Sequence, residues 1–266
     1  MSRVAVVTGA ARGIGAATVC GLAADGWSVV AVDRAEDDPR IPYPLGSRLQ
    51  LDEVVARADA LGGGPGAVVA HVADTTDAAA LAVAVSLAED RFGGLDAVIA
   101  AAGVIAGGTP LWEMPAEQLD AVLSVDLGGV ITAARVGIPA LLRRPTPREG
   151  RFLAVASAAA TRGLPMLAAY GAAKAGVAGL VRGLAAELAG TGVTANAVCP
   201  GSTDTAMLAE SARLYGLEGT APFADQQAVG RLLAPEEVAA ALVWLAGESA
   251  GAVTGAVIPV DGGLGL

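Results

Sequence analysis

Lysine is almost absent from this 266-residue chain: of its 17 basic residues only one, Lys174, is a lysine. Set against 27 acidic residues, they leave a formal net charge of −10. No basic face is available for a phosphate backbone, so nucleic acid is not an expected partner. Histidine occurs once, as His71, which argues against a metal centre and weakens any Ser-His-Asp scheme. The two cysteines, Cys20 and Cys199, lie far apart and outside any C-x-x-C spacing, as expected of a reduced, cytoplasmic protein. Long apolar runs are also missing. The longest stretches without a charge, 97–112 and 188–203, have sixteen residues each and contain glycine and proline or threonine. A membrane span needs about 20 predominantly apolar residues, so no membrane association is expected. Only residues 4–7 form an apolar run before Thr8-Gly9, which does not make a signal peptide.

What the chain does have is 54% hydrophobic residues with 17% charged, enough for a large interior and incompatible with disorder. Short apolar runs at 4–7, 28–32, 67–72, 97–101, 151–156, 194–198 and 256–260 are continuous rather than alternating. That is the pattern of parallel strands covered on both faces. Between them, 13–25, 51–61, 77–92, 115–143, 167–189 and 235–245 carry apolar residues at helical spacing. Strand–helix alternation with right-handed crossovers predicts one α/β domain over 1–266, a doubly wound parallel sheet of the Rossmann type. Two stretches break the pattern. Residues 34–47 hold three prolines where a short connection would suffice, and 203–231 is irregular. Both leave carboxyl ends of strands, so either is a lid over a ligand or a surface insertion.

The first strand runs into Thr8-Gly9-Ala10-Ala11-Arg12-Gly13-Ile14-Gly15 and then a helix. Glycines there allow a tight turn and close approach of a pyrophosphate to free N–H groups, so Gly9, Arg12, Gly13 and Ile14 are candidate dinucleotide contacts. Asp33 ends the second strand eighteen residues after Gly15, where a carboxylate accepts from ribose hydroxyls and repels a 2′-phosphate, favouring NAD over NADP. Arg12 and Arg34 are the cations that would hold a 2′-phosphate instead. Ala73-Asp74 ends the third strand; Asp74 is either an adenine contact or the cap of the next helix. Tyr170 and Lys174 stand four apart on a helix and share a face, while Ser157 emerges from the strand at 151–156. In that trio Tyr170 exchanges a proton with the alcohol oxygen as hydride moves to or from nicotinamide. Ser157 holds that oxygen, and Lys174 binds the nicotinamide ribose and lowers the Tyr170 pKa.

Taken together, TGAARGIG, Asp33, Asp74, Ser157, YGAAK, CPGSTDT and VTGAVIPVDGG resemble the short-chain dehydrogenase/reductase family along the whole chain. The resemblance implies a seven-stranded Rossmann-type domain, Ser157, Tyr170 and Lys174 as the catalytic group, and a homotetramer. It also places Pro200, Gly201, Thr203 and Thr205 against the nicotinamide carboxamide and phosphates. Ala101, Ala102 and Gly103 stand where many members carry an Asn-Asn-Ala-Gly segment, so its amide contacts are replaced. Asp126 occupies the position of the family's catalytic Asn, which supports a proton relay to the lysine. Residues 100–108, 157–165 and 200–207 further resemble an actinobacterial subgroup described as mycofactocin-dependent. For that subgroup the resemblance implies NAD held tightly, with electrons passed to mycofactocin and with 34–47 folded over the adenine end.

The expected function is NAD-dependent interconversion of a secondary alcohol and a ketone. Two alternatives are an NADPH-dependent 3-oxoacyl reductase and a catalytically impaired NAD-bound sensor or scaffold. The substrate wall expected around Val104, Ala159, Met166, Met207, Leu208 and Tyr215 is apolar and offers no cation, which suits a small hydrophobic alcohol or ketone.

Overall fold

Seven parallel strands form one sheet in the order β3-β2-β1-β4-β5-β6-β7. The structure, a computed structural model, describes residues 2–64 and 66–266. The strands are β1 (Val4–Thr8), β2 (Ser28–Asp33), β3 (Val68–Val72), β4 (Ala97–Ala100), β5 (Gly150–Val155), β6 (Val193–Pro200) and β7 (Val257–Val260). All seven runs read from the sequence become strands, within two residues at each end.

Successive side chains along each strand enter opposite layers. Val4 and Val6 of β1 join the core made with Leu81, Val130 and Val177, whereas Ala5 and Val7 join Val19, Leu22, Leu51 and Leu242. The helices supply those partners. On the second face lie α1 (Gly13–Ala24), α2 (Arg48–Ala58) and α9 (Pro235–Ala246); on the first lie α3 (Ala78–Phe92), α5 (Gly129–Arg143) and α6 (Ala168–Glu187). The remaining helices are α4 (Ala116–Leu123), which leads into α5, and α7 (Ala206–Leu214) and α8 (Ala221–Ala224), which occupy the stretch 203–231. Ser47 caps α2 through a reciprocal pair with Gln50, so that helix starts three residues earlier than its apolar spacing indicates.

One predicted helix is not continuous. The segment 115–143 divides into α4 and α5 around a π-helical turn, Ser124–Gly128, with Asp126 buried at its centre. An extra residue per turn is a recurrent feature of functional sites, and here it rotates Asp126 towards α6. The whole of Ala116–Arg143 is long and apolar enough to cross a membrane by composition, but half of it is buried and α5 packs on β4 and β5. Its apolarity is that of a core helix.

Candidate active site

The strand order reverses beside β1, which pairs with β2 on one side and β4 on the other. At that switch point the carboxyl ends diverge and leave a crevice. Thr8, Asp33, Ala101, Ser157 and Pro200 all open onto one cleft of about 690 Å³. Each expected cofactor residue, from Gly9 in the phosphate loop to Thr205, lines it.

The phosphate loop is fixed by close contacts. Gly9 has φ of 68°, and a side chain there would lie 2.7 Å from the Ala102 backbone. A Cβ on Gly15 would collide with the Gly9 carbonyl. Thr8 Oγ1 accepts from the N–H groups of Ala101 and Ala102 at 3.2 and 3.3 Å, so the alanine segment is tied to β1 without asparagine amides. No side chain caps the start of α1 and its first turn carries no acid, leaving N–H groups and dipole directed at an anion. These features fit the diphosphate of a dinucleotide.

Residues 34–47 fold back onto that loop. Asp33 Oδ2 accepts from Ala11 N at 3.0 Å, and Oδ1 accepts from Ala35 N at 3.0 Å. Buried Asp38 is gripped by Arg34 (2.8 Å) and Arg40 (2.6 Å), whose cations hold its carboxyl well below the usual range. Further on, Arg12 donates to the Pro44 carbonyl at 2.9 Å and lies over the Tyr43 ring. Tyr43 Oη accepts from Ile105 N at 3.1 Å, and Ile41 and Tyr43 join the apolar cluster of Val104 and Ile105. The segment therefore spans from the adenine end to the far wall of the cleft. Both arginines named as candidate 2′-phosphate ligands are engaged by it. Asp74 is not a helix cap: Asp77 caps α3, while Asp74 binds Thr76 and stands 3.5 Å from Arg34.

Ser157, Tyr170 and Lys174 meet in the cleft. Ser157 ends β5 and caps a short 3₁₀ turn through Ala159 N at 3.1 Å. Lys174 Nζ lies 5.6 Å from the Tyr170 ring centre and donates to the Val155 carbonyl at 3.1 Å. Burial raises the Tyr170 pKa above that of an ordinary phenol, against the pull of the Lys174 ammonium. Sequence reasoning expected the lysine to prevail; in the protein alone desolvation is the larger effect. Burial also works against the Lys174 ammonium, but the charges of Asp126 and Tyr170 outweigh it and keep lysine firmly protonated.

Asp126 does not line the cleft. It sits behind Lys174, fully buried, with Oδ1 at 3.6 Å from Nζ and accepting from Val104 N at 2.9 Å. Desolvation pushes its carboxyl up to about 6, with Lys174 and the Val104 amide pulling the other way.

The substrate half differs from expectation at two residues. Met166 points away, half-exposed with φ of 59°, and the wall is formed by Val104, Ala159, Leu164, Met207, Leu208 and Phe223. A cation is present after all: Arg162 lines the mouth, donating to the Leu264 carbonyl. Tyr215 of the 203–231 stretch lines the cleft as expected and donates to Pro165 O at 2.9 Å. Gln227 holds Ser202 through its N–H at 2.9 Å and its carbonyl at 3.2 Å. Tyr43, Arg162 and Gln227 were not foreseen; each acts through contacts with residues distant in sequence, which no local pattern marks. The Gly247-Glu248-Ser249-Ala250-Gly251 segment has the G-x-S-x-G spacing of hydrolase elbows, but it forms a 3₁₀ turn after α9 and lines no part of the cleft.

A family model described as enoyl-(acyl carrier protein) reductase matches residues 9–265. The chain is 40% identical to cis-4-hydroxycyclohexanecarboxylate dehydrogenase of Sinomonas cyclohexanicum, over 98% of this chain and 96% of that protein. It is 34% identical to a 3-oxoacyl-(acyl-carrier-protein) reductase of Thermotoga maritima, over 98% of this chain and 97% of that protein. Among solved structures, carveol dehydrogenase from Mycobacterium avium in complex with NAD superposes with a TM-score of 0.92 at 29% identity, covering 98% of this chain and 97% of that one.

Proposed function

The chain belongs to the short-chain dehydrogenase/reductase family, and from that premise we propose that it interconverts a hydrophobic cyclic secondary alcohol and its ketone using NAD. The observation that carries this reading is the Tyr170–Lys174 pair on one face of α6, opening with Ser157 onto the cleft that the phosphate loop lines. When bound, NAD supplies the hydride acceptor or donor. Ser157 and Tyr170 hold the substrate oxygen, and Tyr170 exchanges the proton with it. Lys174 orients the nicotinamide ribose and keeps a positive charge beside the phenol. Gly9, Gly13 and the start of α1 take the diphosphate, and Asp33 takes the adenosine ribose. The apolar wall from Val104 to Phe223 selects a hydrocarbon ring and keeps water from the reacting carbon. Relatives named for a hydroxycyclohexanecarboxylate and for carveol support that choice, and Arg162 at the mouth makes acidic cyclic alcohols part of the panel to test.

A 3-oxoacyl reductase using NADPH would need a cation for the 2′-phosphate. The engaged state of Arg12 and Arg34, together with Asp33, disfavours it. We extend the proposal to cofactor turnover: NAD stays in its cleft under residues 34–47 and is reoxidised there by a second acceptor, with mycofactocin as the candidate that the sequence resemblance supplies. Mass spectrometry of protein that has passed through gel filtration is expected to find NAD bound. Tyr43→Phe leaves the Ile105 N–H without its acceptor, a loss of about 1–3 kcal/mol. Stopped-flow release of NAD should then quicken by roughly 5- to 150-fold. Recovery of NADP, or a cofactor-free protein that exchanges NAD freely, would overturn the reading.

A further inference from the structure

Among the described residues, Oδ2 of Asp126 is the only carboxylate oxygen buried without a hydrogen-bond partner. The acids at the adenine end are unlike it. Asp33 and Asp38 use both oxygens, on backbone N–H groups or arginines, and have no vacancy for a proton. Asp126 has a single cation, Lys174, at 3.6 Å on one oxygen, and nothing on the other. The titratable groups packed around the pair are Tyr170 on α6, Tyr43 from the 34–47 segment and Cys199 at the end of β6, all neutral in their ordinary protonation states. An amide in this position would exchange hydrogen bonds but take up no charge. A carboxylate is a base.

The proton balance of the proposed reaction shows what such a base is for. Oxidising the alcohol breaks its C–H bond, with hydride going to the nicotinamide of NAD as oxidant, and breaks its O–H bond, with the proton going into the protein. Tyr170 is held as a phenol by its burial and keeps no place for a second proton. Lys174 is already an ammonium. The next group inward is Asp126.

Resting on that reading of the reaction, we propose that Asp126 is the internal store for the substrate's proton. In oxidation the alcohol O–H bond breaks and an O–H bond forms on the Asp126 carboxyl. Tyr170 and Lys174 each pass on one proton for each received and end unchanged. In reduction the same proton returns to the new alcohol. The enzyme thus retains proton and hydride together after a half-reaction, and the proton reaches solvent only in a later step. Asp126 does not touch the substrate; it works through Lys174.

The test uses two readouts. First, infrared spectra of NAD-free protein labelled with ¹³C-aspartate are recorded between about pH 4.5 and 8. A buried carboxylic-acid C=O band should titrate near pH 6 and be missing from Asp126→Asn, whose Oδ1 still accepts from Val104 N. Second, a single turnover in weak buffer with a pH dye follows proton release against reduction of bound NAD. Wild type should reduce NAD with no prompt proton, and its oxidation rate should fall about tenfold per unit below the Asp126 pKa. Asp126→Asn should lose that limb of the pH profile. The proposal is overturned if Asp126 stays ionised across the range, or if Asp126→Asn keeps the same limb and the same proton timing. Were the protein to oxidise no alcohol at all, the infrared titration would still decide the state of Asp126 separately from the reaction.

Discussion

Tyr170→Phe should lower kcat by roughly 10²- to 10⁴-fold while NAD binding is unchanged, because positioned acid–base catalysis contributes on that scale. The phenyl ring fits the existing space, since the hydroxyl makes only a 4.0 Å contact to Met207 sulfur. Folding and the phosphate loop are therefore untouched, and the loss falls on the proton transfer alone. Calorimetric titration with NAD alongside steady-state rates separates the two effects. Retained turnover would show that another group exchanges the proton.

Lys174→Met should produce the second large effect, on activity and on stability. The ammonium is the only cation facing Asp126, and breaking one partner from a buried ion pair costs about 3–5 kcal/mol. The sign of its pH dependence follows from linkage. Lys174 pulls the Asp126 pKa down, so without it the folded-state value rises beyond about 6, whereas the unfolded value is unchanged. Between those two values the native state binds more protons than the unfolded state, and stability of the variant falls as pH rises through the window. Denaturant melts should show a larger deficit at about pH 8 than at about pH 5. A deficit independent of pH would mean that the pair is not coupled as the structure shows. Lys174→Arg should not restore activity, because a planar guanidinium does not replace a compact ammonium wedged between a phenol and a carboxylate.

The sheet was legible because parallel strands covered on both faces must be continuously apolar, and 4–7, 28–32 and 151–156 are. The catalytic trio was legible for a different reason: helical spacing puts Tyr170 and Lys174 on one face whatever the tertiary fold. The path of 34–47 was not. Three prolines announce an irregular segment, but the contacts that define its course, Tyr43 to Ile105 and Arg12 to Pro44, join residues 62 and 32 positions apart. The depth of Asp126 was hidden likewise, since a π turn has no signature in apolar spacing. Reading 115–143 as one regular helix gives no means to set that side chain behind Lys174. The lone lysine, by contrast, is more informative in the structure than in composition: it is 3% exposed, among apolar neighbours, with one ion-pair partner.

Hydride transfer to an NAD that stays in the cleft is the centre of the account, and isotope transfer reads it directly. Cyclic secondary alcohols deuterated at the carbinol carbon, including acidic ones for Arg162, are mixed with the purified protein, and the bound dinucleotide is extracted and weighed by mass spectrometry. The expected result is a reduced NAD carrying one deuterium, lost in Tyr170→Phe. A dinucleotide that gains no deuterium from any member of the panel, in protein that binds NAD, would contradict the account and leave a cofactor-bound scaffold in its place.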